Sequence, residues 1–272
     1  MWIINQKQCL ETFGHISYWD TSEITFMNYL FTVKKDYLDY KYINSYTNLV
    51  ESKILCKFKN FNEPLYWDVS NVTNMEGMFS NASYFNQPLN KWDVSNVTNM
   101  EYMFVGAKEF NQPLNNWNVS SVTNMSYMFS GATKFNQSLN NWNVSNVNNM
   151  EYMFYGAINF NQSLNNWNVS NVNNMESMFE NAKKFNRSLR WNTINTEYME
   201  NMFKGAITFN NQNINKIYFN FKTLLEGPEL NNIREEMEFN INEEIEDIAN
   251  HMHIENINLI EHAPRCKNKS SR

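Results

Sequence analysis

Residues 92–116 read WDVSNVTNMEYMFVGAKEFNQPLNN, and close variants of this 25-residue stretch follow one another six times in the chain. Each variant begins with a tryptophan, and the spacing is 25 residues until the last copy, which follows after 24. These tryptophans are Trp67, Trp92, Trp117, Trp142, Trp167 and Trp191. A fixed period of this length is typical of solenoids, in which each repeat packs only on its neighbours.

The spacing of the apolar residues changes once within a repeat. With the tryptophan as position 0, the apolar residues of the second copy are Trp92, Val94, Val97, Met100, Met103, Phe104, Ala107, Phe110 and Leu114. The first ones alternate as in a strand, whereas positions 8, 11, 12 and 15 have the spacing of a helical face. The pattern predicts a strand from position 22 of one repeat to position 2 of the next, followed by a short helix.

Two signals predict the ends of this helix. Thr98 and Glu101 fit a capping box, in which the threonine hydroxyl accepts from a free amide and the glutamate reaches back. Position 14 is always glycine or asparagine, residues that tolerate the left-handed conformation that ends many helices. The residues at position 14 are Asn81, Gly106, Gly131, Gly156, Asn181 and Gly205.

The repeats together predict an α/β fold, a right-handed solenoid of about eight coils with one short parallel strand and one short helix in each. Like strands would lie ~4.8 Å apart, which would bring the tryptophan rings within stacking distance of one another. The asparagines at position 19 would form a hydrogen-bonded ladder, although they could also be ordinary surface turn residues. The ladder consists of Asn86, Asn111, Asn136, Asn161 and Asn186.

The unit W-[DN]-V-S-N-V-x-N-M-x-x-M-F-x-x-A-x-x-F-N-Q resembles the BspA-like leucine-rich repeat family. That family occurs in surface lipoproteins of wall-less bacteria, bacterial adhesins, protist surface proteins and some large DNA viruses. The resemblance implies a leucine-rich-repeat-like solenoid that binds other proteins or cell surfaces without catalysis.

Four segments are predicted along the chain. Residues 1–66 form an N-terminal cap with two degenerate repeats, because the 48 residues from Trp19 to Trp67 equal two coils of 24, with the second phase near Ile43. A separate small domain is the alternative. Residues 67–215 form the regular repeats. Residues 216–262 form a degenerate last coil and an acidic amphipathic capping helix, and residues 263–272 a basic disordered tail.

Charge and composition argue against several classes of protein. The net charge is −6, and the acidic excess lies in residues 226–262, so the chain is predicted not to bind nucleic acid. No apolar stretch is long enough to span a membrane, and residues 1–18 do not read as a secretory signal. The predicted location is therefore the cytoplasm by default, with the cell surface or a virion as the alternative that the family resemblance suggests.

Neither a metal site nor a catalytic site is predicted. The three cysteines, Cys9, Cys56 and Cys266, are far apart and indicate a reducing compartment. His251, His253, His262 and Cys266 have spacings that match no usual zinc pattern. No phosphate-binding loop and no persistent pair of carboxylates occurs. The sequence predicts a protein without cofactors that is not an enzyme.

The best candidate binding surface is a stripe of tyrosines at position 10. We expect position 10 to face solvent in consecutive coils, where it holds Tyr102, Tyr127 and Tyr152. A further tyrosine, Tyr155, lies nearby at position 13. Tyrosine is a favoured anchor in binding surfaces, although repeat duplication alone would also produce such a row.

The predicted function is a non-enzymatic protein–protein interaction scaffold with an unknown protein partner. One alternative is a cell-surface adhesin or host-interaction protein. Another is a structural or assembly component, in which the C-terminal helix could mediate self-association.

Overall fold

The computed structural model describes residues 5–32 and 59–210. Helix α1 spans Gln6–Phe13, and a 3-10 helix spans Ile16–Tyr18. The predictions about Ile43, Cys56, the C-terminal helix and the basic tail fall outside the described residues. Within the described ranges, no helix combines the length and the apolar character needed to cross a membrane.

Consecutive repeats lie side by side in one fixed register. The amides at positions 8, 10, 12 and 14 of one repeat donate to carbonyls at positions 7, 9, 11 and 13 of the next, as from Met100 to Asn124 at 3.0 Å and from Phe104 to Met128 at 2.9 Å. Buried backbone donors need partners, so each repeat depends on its neighbour. Isolated parallel bridges join position 7 throughout: Phe26, Asn74, Asn99, Asn124, Asn149, Asn174 and Tyr198.

Rows of aromatic rings fill the interior. Within a repeat, the rings at positions 12 and 18 stack closely, as in the 4.1 Å pair of Phe129 and Phe135. Between repeats, the rings at position 12 lie 5.5–5.7 Å apart. From Phe79 to Phe185 these side chains are fully buried, as are the neighbouring methionines, whereas Phe203 of the last repeat is half-buried. The set of buried positions predicted from the apolar spacing is therefore confirmed for the central repeats.

The tryptophans form a row of their own at the edge of this core. The rings of Trp117 and Trp142 lie 6.4 Å apart with planes inclined by 4°, and those of Trp142 and Trp167 lie 6.5 Å apart. The Trp142 ring nitrogen also donates to the Leu114 carbonyl at 2.9 Å. The predicted stacking is confirmed for these residues.

The helix predicted in each repeat does not form in the described residues. Positions 10 and 14 both have a left-handed backbone, with φ of +57° at Tyr102 and +64° at Gly106. The left-handed conformation predicted at position 14 is thus correct, but the one at position 10 interrupts the helix. The residues form successive tight turns instead, in which the Met103 amide donates to the Met100 carbonyl three residues earlier. Such turns place apolar residues at i, i+3 and i+4 on one side, as a helix would.

The predicted strand and capping box also differ from the structure. Residues 90–91 form a turn, which the bond from the Trp92 amide to the Leu89 carbonyl closes at 3.1 Å, so no strand runs from position 22 to position 2. The Thr98 amide donates to the preceding repeat, and the Glu101 amide donates to the side chain of Asn99 at 3.0 Å. The side chain of Asn99, at position 7, therefore accepts the amide hydrogen bond that the capping box predicts for Thr98.

The structure also contradicts the two degenerate repeats predicted between Trp19 and Trp67. The Met27 amide donates to the Asn74 carbonyl at 3.0 Å, so residues 19–32 lie directly beside the repeat that begins at Trp67. A second degenerate repeat would have to lie between residues 19–32 and the repeat that begins at Trp67, and the direct hydrogen bond between these two leaves no room for it.

Residues 59–66 complete the repeat that residues 19–32 begin. The rings of Phe31 and Phe61 stack at 4.2 Å, and the equivalent pair within residues 92–116 is also 4.2 Å apart. Phe31 and Phe61 thus occupy positions 12 and 18 of one repeat, although they lie 30 positions apart in the sequence instead of six. A spacing of 48 residues does not distinguish two repeats from one repeat in which positions 12 and 18 are about one repeat length further apart.

Gly77 and Gly156 allow a direct comparison of two left-handed glycines. Gly156→Ala is expected to cost about 1–2 kcal/mol for the left-handed backbone alone, because a Cβ there meets nothing within 4 Å. At Gly77 a Cβ would overlap the ring of Tyr29, so Gly77→Ala should cost about 1–3 kcal/mol more. Urea unfolding of both variants measures the difference, and equal losses would contradict the placement of Tyr29.

Candidate binding surface

Tyrosines of consecutive repeats form a continuous stack. The rings of Tyr102 and Tyr127 lie 4.8 Å apart, and those of Tyr127 and Tyr152 lie 4.7 Å apart. Tyr155 lies 5.5 Å from Tyr152 with its plane inclined by 54°. Tyr155 is 36% exposed, whereas the other three are half-buried because each ring covers the next. The structure brings all four predicted tyrosines together, and we call this group the tyrosine face.

Each stacked tyrosine has a left-handed backbone, with φ between +52° and +59°. This conformation costs a residue with a side chain about 1–2 kcal/mol, and ring stacking returns about 0.5–1.5 kcal/mol for each pair. The same position is held by Gly77, Ser177 and Asn201 in other repeats, so the fold does not require tyrosine there. Strained residues of this kind cluster at functional sites.

Glutamates at position 9 lie beside the tyrosines. The Tyr127 hydroxyl donates to Glu151 at 3.3 Å, and the Tyr152 hydroxyl donates to Glu176 at 3.3 Å. The side-chain amide of Asn174 donates to the second oxygen of Glu151, also at 3.3 Å. Glu151 is thus held between a tyrosine of the preceding repeat and an asparagine of the following one, which fixes its carboxylate at the edge of the tyrosine face.

The electrostatic environment of the position-9 glutamates favours a positively charged ligand. Burial and the charge of Glu76 raise the pKa of the Glu101 carboxyl. Burial and the charge of Glu151 raise the pKa of the Tyr127 hydroxyl far above its ordinary value, so the hydroxyl stays a donor. The two ion pairs in the described part of the chain involve none of these glutamates. Within residues 5–32 and 59–210, these glutamates therefore form no salt bridge with a lysine or arginine.

The position-19 asparagines are also linked in a row, but by backbone-to-side-chain hydrogen bonds and not by stacking of their side-chain amides. Each side-chain oxygen accepts from the backbone amide of the next asparagine, as between Asn136 and Asn161 at 2.9 Å. The side chain of Gln162 donates to the same oxygen at 3.1 Å. Equivalent backbone-to-side-chain bonds connect Asn86, Asn111, Asn136, Asn161 and Asn186. The row therefore joins repeats and has a structural role.

Two features of the surface were not predicted from the sequence. The capping-box pattern assigns Glu101 to a helix end, whereas the recurrence of glutamate next to position 10 indicates a partnership with tyrosine. Tyr29 lies ten residues after Trp19 and thus occupies position 10 of the first repeat, where its hydroxyl donates to Glu76. The same count that predicts a repeat starting at Trp19 also places Tyr29 at position 10.

Among residues 5–32 and 59–210, no three side chains of histidine, cysteine, aspartate or glutamate lie close enough together to hold a metal ion. Cys9 is buried with a free thiol. His251, His253, His262 and Cys266 lie outside the described residues.

A family model described as "Mycoplasma protein of unknown function, DUF285" matches residues 4–65, 43–139 and 111–217. The chain belongs to the DUF285 family. Because the three overlapping matches extend over most of the chain, one DUF285 unit corresponds to several 25-residue repeats. DUF285 is the BspA-like repeat family of mycoplasma proteins, so the chain is a repeat protein of that family. No curated protein and no solved structure gives a significant match.

Proposed function

We propose that this DUF285 protein is a non-enzymatic scaffold of the BspA-like leucine-rich repeat type, in which a solenoid of repeats binds another protein through the tyrosine face. The observation that carries the proposal is the row of stacked tyrosines in left-handed conformations. The fold does not require tyrosine at position 10, and a run of three stacked rings there is well explained by binding.

The surroundings of the tyrosine face support a protein partner over a nucleic acid. The glutamates beside it would repel phosphates, and nucleic-acid affinity depends on clustered lysine and arginine. Stacked rings also lose little conformational freedom when a partner binds, because each is already held by its neighbour. The stacked rings can therefore contact a polypeptide with little further loss of conformational freedom.

Changing Tyr102, Tyr127 and Tyr152 together to serine is expected to abolish partner capture. Ser177 shows that serine is accepted at position 10 with φ of +52°, so the repeats should still fold. Loss of two ring pairs should lower stability by about 1–3 kcal/mol. Quantitative pull-down from a cell lysate measures capture, and thermal unfolding checks the fold.

The matched control changes Asn116, Asn141 and Asn166 to serine. These exposed residues belong to the same three repeats and occupy a different row. The control should capture the same proteins as the native chain. Equal capture by the tyrosine variant and the control would reject the proposal, because binding would then not depend on the tyrosine face.

A further inference from the structure

The tyrosine stack ends at Tyr152 in a way that leaves one ring face uncovered by a tyrosine. Tyr127 covers one face of Tyr152 at 4.7 Å. In the next repeat position 10 is Ser177, a small and fully buried residue that carries no ring. Tyr155 lies at the side of Tyr152, inclined by 54°. Tyr152 and the more exposed Tyr155 therefore form an aromatic corner at the end of the stack.

Two glutamates of the next repeat adjoin this corner. Glu176 accepts the hydrogen bond from the Tyr152 hydroxyl at 3.3 Å. Glu180 follows Tyr155 at position 13 of the next repeat, and its carbonyl accepts from the Gly156 amide at 2.8 Å. Both glutamates are half-buried, and no ion pair within the described ranges includes either of them.

We propose that the corner formed by Tyr152, Tyr155, Glu176 and Glu180 binds a lysine or arginine side chain of a partner protein. The charge of such a side chain is complementary to the two carboxylates, and a cation over an aromatic face gains further attraction from the ring. Its aliphatic stem can pack against Tyr155, which is 36% exposed. This inference rests on the proposed function and names the chemistry of the partner.

The other end of the stack has a different composition. Position 10 before Tyr102 is Gly77, and the place of its missing side chain is taken by the ring of Tyr29. Position 13 of the repeats that contain Gly77 and Tyr102 holds Ser80 and Val105, so neither a second inclined tyrosine nor a second carboxylate is present there. Within the described residues, the complete arrangement of two rings and two carboxylates therefore occurs at Tyr152.

The test uses the full chain and a short peptide with arginine at every third position, titrated by calorimetry at low salt. We expect binding of the arginine peptide, and loss of binding when citrulline replaces arginine, since citrulline keeps the shape and removes the charge. The double variant Glu176→Gln and Glu180→Gln should weaken binding about tenfold, as expected for two partly desolvated charge contacts. Tyr155→Ser, a residue found at this position as Ser130, should weaken binding about two- to fivefold.

The double variant Glu11→Gln and Glu23→Gln is the matched control. It removes the same net charge from two exposed glutamates outside the position-9 row, so it should change affinity by less than about twofold. Equal losses in both double variants would overturn the inference, as would equal binding of the citrulline peptide or no binding of the arginine peptide.

The two proposals can fail separately. If the native partner is lost with the three tyrosines but retained by the Glu176→Gln and Glu180→Gln variant, the inference about the corner is wrong and the scaffold function stands. If capture survives in the tyrosine variant, the scaffold function through this face is wrong, whatever the peptide shows.

Discussion

Replacing Phe129 by alanine is expected to destabilise the protein by about 3–5 kcal/mol. The side chain is fully buried, and its ring lies 4.1 Å from Phe135, 5.6 Å from Phe104 and 5.7 Å from Phe154. Alanine would leave a cavity in the aromatic row at the middle of the repeats. Because a domain has only about 5–15 kcal/mol of net stability, this one change should remove a large part of it.

The same substitution should also change the shape of the unfolding curve. In stacked repeats, stability is the sum of terms within repeats and between neighbours. A weakened central repeat uncouples the two sides, so urea unfolding of Phe129→Ala should become broader or occur in two steps. Circular dichroism and tryptophan fluorescence would follow it.

Phe26→Ala is the control for this prediction. It removes the same atoms from a side chain that is 64% exposed, and surface changes usually alter stability by no more than about 0.5 kcal/mol. A comparable loss from both variants would show that the aromatic row does not stabilise the stack.

Replacing Asn136 by alanine is expected to cost about 1–3 kcal/mol. The side-chain oxygen accepts from the Asn161 amide at 2.9 Å and from the Gln162 side chain at 3.1 Å. Gln162 keeps a second acceptor in the Asn136 carbonyl at 3.0 Å, so the main loss is the partner of a half-buried backbone amide. Chemical denaturation of the native chain and the variant measures the effect.

Asn136→Asp separates this ladder from a ladder of stacked amides. The structure uses the side chain as an acceptor, and a carboxylate accepts equally well, so the aspartate variant should keep most of the stability at neutral pH. In a ladder of stacked amides, each side chain also donates, and aspartate would be as harmful as alanine. Equal losses from the two variants would therefore contradict the bonds seen here.

The sequence predicted which side chains are buried far better than it predicted the backbone that buries them. The spacing of Met100, Met103 and Phe104 fixes one buried side of the chain, and a helix and a series of tight turns satisfy that spacing equally. What distinguishes them is the left-handed backbone at position 10, and tyrosine there conceals it, since tyrosine rarely adopts that conformation. A glycine at every copy would have revealed the turn.

The sequence predicted the alignment of the tyrosines but not their hydrogen bonds to glutamates. Tyr102, Tyr127 and Tyr152 share a phase, so their alignment was accessible from counting alone. Their hydrogen bonds to Glu151 and Glu176 join different repeats. A pattern within one repeat does not contain contacts of this kind, because they depend on the register between neighbours.

The constant register between repeats has a consequence for the evolution of the gene. Each repeat offers its successor the same set of donors and acceptors, so a copy joined to any other copy makes the same contacts. Unequal recombination could thus add or remove whole units of 25 codons while the reading frame and the packing are retained. Lineages could in this way lengthen or shorten the molecule without having to evolve a new interior.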